Sequence, residues 1–170
     1  MKNNRRKKIL YILTAVIVIS AAVWGYFYYR NRDERLLRAL ISELETMVSR
    51  RPGKSNALSL LDAATPERVF ASKVKIVSDV PKMERDFTLK ELSQMMVTMK
   101  KSCRSAALDI EISSINIQPE TAIIYGSGMF SGESSQNNTF REVRDLTLEC
   151  KKFDGKWKIN TVKVDPVIKR

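Results

Sequence analysis

The chain contains no histidine among its 170 residues, only two cysteines, six glycines and five prolines, and aromatics make up 8%. Each scarcity excludes something. Without imidazole the commonest general base is missing, because no other side chain titrates near neutrality when unperturbed. Two cysteines without histidine do not complete a four-ligand zinc site, so no metal is expected. The sequence holds no glycine-rich phosphate loop, serine nucleophile motif, paired metal carboxylates, internal repeat or low-complexity tract. It also lacks a compact basic–aromatic stripe. No cofactor and no nucleic acid follow from such a sequence.

What is present begins with an apolar run. Ile9 to Tyr29 carries no charge and no proline. As a helix it would extend about 31 Å, near the roughly 30 Å hydrocarbon thickness of a bilayer. Trp24, Tyr26, Phe27, Tyr28 and Tyr29 gather at its far end, as interfacial aromatics do. Lys2, Arg5, Arg6, Lys7 and Lys8 precede it. A basic leader before an apolar run also describes a cleaved signal peptide, with Ser20-Ala21-Ala22 as a weak cleavage site. The run is longer than a signal core and stops at Arg30, Arg32 and Arg35, which favours a retained anchor. The boundaries expected are a cytoplasmic basic leader over 1–8, a transmembrane helix over 9–29 and a short junction over 30–33. The denser leader charge places the N-terminus in the cytoplasm and the domain outside. The localisation expected is therefore a single-pass protein of the inner (cytoplasmic) membrane, with a periplasmic or extracellular domain and the lipid bilayer as a partner.

The formal net charge is +11, from 30 Lys and Arg against 19 Asp and Glu. Five of those basic residues belong to the leader, leaving 25 against 19 for the rest. That moderate excess suits solubility as well as acidic partners. A disulfide between Cys103 and Cys150 is disfavoured, since a simple strand meander sets them near opposite ends of the sheet.

Helical spacing of Leu36, Leu37, Leu40, Ile41, Leu44, Met47 and Val48 predicts a helix over Asp33 to Ser49. Arg51-Pro52-Gly53 ends it, and Ala57 to Ala63 can form a second, short one. Val69 to Val77 reads as one strand, and Pro81 begins a connection. Thr88 followed by Glu91 is a capping box, and Phe87 with Leu92 a hydrophobic staple. They open a helix that runs to about Lys101. After Cys103 the period changes to two. Leu108, Ile110 and Ile112 share a face, and the phase shifts at Ser113-Ser114, which predicts a bulge. Thr121 to Phe130 is the next strand. Its Gly126 and Gly128 leave a patch without side chains, suited to curvature or to the close approach of a ligand. Ser131 to Thr139 reads as a mobile loop, Phe140 to Lys152 as a third strand. Phe153-Asp154-Gly155-Lys156 is a turn, and Trp157 to Val164 the fourth strand.

This element order, with Phe140-Arg141-Glu142-Val143 through Leu148-Glu149-Cys150 and then Phe153-Asp154-Gly155-Lys156-Trp157-Lys158-Ile159, resembles the closing hairpin of the NTF2-like (SnoaL-like, cystatin-like) superfamily. The resemblance covers 34–165 and leaves 166–170 as a basic tail. It implies an α+β cone, with helices packed on a curved antiparallel sheet around a pocket. One departure is the single strand before Pro81, where many members have a hairpin. A span followed by such a domain also resembles VirB8-type components of type IV secretion systems.

Strand parity puts Glu142 and Arg144 on the same face as Leu146 and Leu148. They are pocket-lining candidates, with a solvated strand end and catalysis as the alternatives. Tyr125 is a candidate pocket hydroxyl or a packing residue, and Trp157 a candidate pocket residue or an anchor of the hairpin. Two functions follow. One is a membrane-anchored assembly module without catalysis, binding an envelope protein or itself. The other is a small-ligand pocket protein, with isomerase- or cyclase-like chemistry as its enzymatic variant.

Overall fold

The computed structural model describes residues 17, 20, 32–50, 63–79 and 82–166. The chain divides into two compact units, Met1–Arg35 and Leu36–Arg170. The second carries the sheet.

Among the described residues, no helix is long and apolar enough to cross a membrane. The helix α1, residues 32–48, contains Arg32, Asp33, Glu34, Arg35, Arg38, Glu43 and Glu45, charges whose transfer into hydrocarbon is prohibitive. The expected span over Ile9 to Tyr29 lies outside the described residues except for Ile17 and Ser20. The single-pass anchor, the bilayer as a partner and the inner-membrane topology with an extracytoplasmic domain are corrected accordingly. The membrane-anchored assembly module, and the likeness to secretion components that rested on the anchor, fall with them.

Within the second unit, α1 buries Leu37, Leu40, Ile41, Leu44 and Met47 along one stripe, the amphipathic spacing that sequence periodicity requires. The second helix the sequence proposes is described only at Ala63 and Ala64. A short 3₁₀ turn, Pro66–Arg68, follows. Then come β1 (Phe70–Asp79) and β2 (Lys82–Thr88), which pair antiparallel. This hairpin corrects the single-strand expectation. β2 reads KMERDFT and buries only Phe87, so its charged alternation gives no apolar signal. Such charges also protect a sheet edge from further pairing.

Helix α2, Leu89–Ser102, starts where the capping box places it. The Glu91 amide donates to Thr88 Oγ1 at 3.3 Å, and the Thr88 amide donates to Glu91 Oε2 at 2.8 Å. That Thr88 amide, with its hydroxyl and Arg85, holds the Glu91 carboxyl below its usual value. Phe87 and Leu92 are both buried beside the cap, as a staple demands.

The remaining strands are β3 (Cys103–Ile117), β4 (Thr121–Ser134), β5 (Thr139–Phe153) and β6 (Lys156–Asp165). The sheet order is β2-β1-β6-β5-β4-β3, antiparallel throughout except for the parallel pair β1 and β6. The register of β3 against β4 breaks between Ile112 and Ser114. This bulge keeps Ile115 and Ile117 on the face of Leu108, Ile110 and Ile112. The expected mobile loop is mostly strand. Ser131 to Ser134 continues β4, and a turn at 135–138 closes with the Ser134 amide donating to the Asn138 carbonyl at 2.9 Å. Between β5 and β6, Asp154 (φ 50°) and Gly155 (φ 74°) are both left-handed, as a two-residue hairpin turn requires.

Strand β3 is an edge, and the last turn of α1 with the two residues after it seals part of it. Arg50 and Ala106 exchange backbone hydrogen bonds of 2.6 and 3.0 Å. The Leu108 amide donates to Ser49 Oγ at 3.0 Å and the Ile110 amide to Glu45 Oε1 at 2.7 Å. The Arg50 guanidinium donates to the carbonyls of Lys100 and Cys103, so one side chain also closes the end of α2.

Candidate functional site

The helix-facing side of β3, β4 and β5 defines the site. Its register sets four rows. Ala106, Gly132 and Phe140 form the first, Leu108, Phe130 and Glu142 the second. Ile110, Gly128 and Arg144 form the third, Ile112, Gly126 and Leu146 the fourth. The middle strand thus offers three glycines and one phenylalanine. Further along the same face Ala122, Ile124, Leu148 and Cys150 are fully buried. Toward the four rows burial weakens. Leu108, Ile110, Ile112, Phe130, Phe140 and Leu146 are each only half-buried.

The glycines admit neighbouring protein atoms. An ideal Cβ on Gly126 would lie 2.4 Å from the Glu111 carbonyl oxygen, which the bulge turns toward it. A Cβ on Gly128 would meet Leu146 Cδ1 at 2.5 Å, and one on Gly132 the Ser105 oxygen at 2.2 Å. The patch expected for curvature or ligand approach is therefore occupied, at its floor, by the bend of β3 and the side chains of β5. Phe140 and Phe130 add a ring contact with centroids 5.1 Å apart.

Two of the four residues proposed from sequence meet. Arg144 donates to Glu142 Oε1 on the same strand face, with side-chain exposures of 29% and 56%. The pair is wet at its carboxylate end and more sheltered at its guanidinium, on the strand position opposite Gly128, whose own face is covered by Leu146. Tyr125 is on the other face of the sheet, opposite Thr147 and Ser114, and is exposed. Trp157 is buried in the core with Lys152 Nζ 4.7 Å from its ring centre. The structure therefore brings neither Tyr125 nor Trp157 to the Glu142–Arg144 pair.

Cys103 and Cys150 are buried free thiols. Burial pushes the Cys150 thiol up to about 12, so it stays protonated and is no nucleophile at neutral pH. Among the described residues, no three His, Cys, Asp or Glu are placed to hold a metal ion.

Sequence reasoning passed over Asn116, Lys151 and Asn160, which with Glu149 line a separate groove on the outer face. Asn116 stands between Ile115 and Ile117 in plain alternation, which gave a signal for exposure but none for its neighbours. Asn160 occupies the β6 position skipped where the register of β5 and β6 shifts, and nothing in the sequence marks that shift.

Together these features define an α+β domain of the NTF2-like, cystatin-like fold, without an evident catalytic cluster among its described residues. Solved structures share that fold. They include Kfla4162 from Kribbella flavida, at 12% identity and a TM-score of 0.70 over 82% of this chain and 93% of that one. An NTF2-like protein with a cystatin-like fold from Novosphingobium aromaticivorans matches at 9% identity and a TM-score of 0.65, covering 86% and 89%. An NTF2-like protein from Shewanella oneidensis matches at 14% identity and 0.57, covering 78% and 98%. No family model and no curated protein matches the chain. At such identities the likeness extends to the fold alone.

Proposed function

We propose that this domain binds a small amphipathic anion on the helix-facing side of its sheet and does no chemistry on it. The observation that carries the reading is the Glu142–Arg144 pair standing beside half-buried Leu146, Phe130 and Phe140. Half-buried aromatic and aliphatic side chains gain by covering one another's remaining apolar surface with a ligand. The guanidinium is a planar fork suited to a carboxylate, and Glu142 already occupies it in the manner a ligand carboxylate would. The chain offers no imidazole, and Glu142 is solvated and engaged by Arg144, which argues against its acting as a general base.

The test is calorimetric titration with decanoate, a carboxylate on an apolar chain, against decanol as the uncharged control. Decanoate is expected to bind more tightly than decanol. Arg144→Gln should weaken decanoate about tenfold, the loss of one charge-assisted contact of roughly 1.4 kcal/mol. Glu142→Gln should tighten it by removing the internal competitor. Equal affinity for acid and alcohol, or decanoate binding unmoved by either substitution, refutes the proposal.

A further inference from the structure

The outer face of the sheet carries a second set of polar groups that the helix-facing site does not use. A groove of about 250 Å³ opens across the ends of β3, β4, β5 and β6. The register explains its composition. Asn116 on β3, Ile123 on β4, Glu149 on β5 and Thr161 on β6 form one row. Lys151 lies one row away beside Thr121, and Asn160 reaches the groove from the position the β5–β6 shift leaves unpaired.

Two physical properties of this groove define its ligand. The first is its cross-section. Asn116 and Glu149 stand on strands separated by β4, about 10 Å apart at two strand spacings. Between them is the apolar side chain of Ile123. A ligand filling that gap needs hydrogen-bonding groups at both edges and an apolar face underneath. The second property is charge. Glu149 and Lys151 contribute one formal charge of each sign, and Lys75, next in the row on β1 and within electrostatic reach of Glu149, is ion-paired to Glu84 at 2.6 Å, so the lining itself carries no net charge. Some of its polar groups are engaged, Thr121 Oγ1 donating to Gln118 Oε1 at 3.1 Å and Lys151 Nζ standing 6.0 Å from the Phe153 ring centre, and others are unspent. Among the described residues the Asn116 amide and the Glu149 carboxylate make no hydrogen bond, and the Asn160 amide donates only to Thr161 Oγ1 at 3.2 Å. Tyr125, two residues beyond Ile123 on the same face of β4 and 44% exposed, stands outside the groove's lining, next along the same strand.

From this geometry we infer that the outer groove is a binding site for a neutral polyhydroxylated ligand, a pyranose ring of a carbohydrate. The ring hydroxyls meet the carboxamide of Asn116 at one edge and Glu149 and Asn160 at the other. A carboxylate accepting from a hydroxyl makes a stronger bond than a neutral acceptor. The C–H face of the sugar rests on Ile123 and reaches Tyr125, whose ring offers a broad apolar surface with a polar tip. This site is independent of Arg144 and of the anion proposed above.

The experiment is a ¹⁵N–¹H correlation titration of the full chain with glucose, N-acetylglucosamine and maltotriose. Concentrations should reach about 20 mM, enough to fill a site of millimolar affinity. Inorganic phosphate and decanoate serve as controls. At least one sugar is expected to produce saturable shifts at the amides of Asn116, Ile123, Glu149 and Asn160. Asn116→Ala, Glu149→Ala and Tyr125→Ala should each raise the dissociation constant fivefold or more while leaving thermal unfolding and decanoate binding unchanged. Saturable shifts from phosphate but not from sugar would overturn the neutral-ligand assignment. An absence of saturable shifts with every sugar, or sugar binding indifferent to all three substitutions, would overturn the site itself.

Discussion

The amide of Ile110 donates to the carboxylate of Glu45 at 2.7 Å, joining two residues 65 positions apart. An edge strand normally leaves alternate N–H groups to solvent or to aggregation. Here α1 ends against the edge, and Glu45 of its last turn with Ser49 and Arg50 just after it are the partners in turn. The contact matters to the site because it fixes the β3 wall of the helix-facing trough.

Glu45→Ala removes the acceptor and leaves a part-buried amide without one. A loss of stability of about 1–3 kcal/mol is expected, and Glu45→Gln should lose less, since an amide oxygen still accepts from the N–H, though more weakly than a carboxylate. Urea unfolding of the two variants checks this. Equal stability of Glu45→Ala and the parent would show that water replaces the carboxylate without cost.

The glycines of β4 should rank by what surrounds them. A Cβ at Gly126 meets the Glu111 backbone oxygen at 2.4 Å, and a backbone oxygen moves only if the bulge moves. At Gly128 the obstacle is Leu146 Cδ1, the tip of a side chain that can rotate. Gly126→Ala is therefore expected to cost about 1–3 kcal/mol, the range for overpacking that must shift backbone. Gly128→Ala should cost less, and should reduce decanoate affinity by swinging Leu146 across the trough. A reversed order of thermal stability would show that the bulge yields more easily than the leucine.

The Cys150 thiol gives a pH signature. Its folded pKa is raised by burial from 9.0 to about 12. The folded state therefore keeps its proton at a pH where the unfolded chain has lost it. Stability linked to this group is complete below pH 9 and declines as pH rises from 9 toward 12. Cys150→Ala should flatten that alkaline decline, after allowance for the cavity it creates. In the native protein at pH 8, a disulfide reagent should modify Cys150 far more slowly than in the urea-unfolded chain. Equal labelling rates in the two states would contradict the burial on which the shift depends.

Several features were legible because their causes are local. The Thr88–Glu91 box needs only three residues of spacing, and Asp154-Gly155 needs only two residues able to adopt positive φ. The bulge at Ser113-Ser114 was visible because the apolar face must be regained after one residue. The parity of Glu142 and Arg144 followed from the period of a strand. The β2 strand was not legible, because a charged edge strand with one buried residue carries no alternation of hydropathy. Nor was the position of Tyr125 relative to Arg144, since opposite faces of one sheet are distinguished only once the inner face is known. The apolar run over 9–29 stated a hydropathy, and no described helix bears the crossing inferred from it.

By itself the sequence determined the α+β character of the second unit, the start of α2, the turn between β5 and β6 and the absence of imidazole chemistry. These depend on backbone preferences and side-chain types within a few residues of one another. Tertiary structure alone decided the parallel pairing of β1 with β6, the sealing of β3 by Glu45 and the outer groove of Asn116, Glu149 and Asn160. Those arise where segments remote in the chain meet, and the energy that selects them comes from burial and hydrogen bonding between partners that no local pattern names.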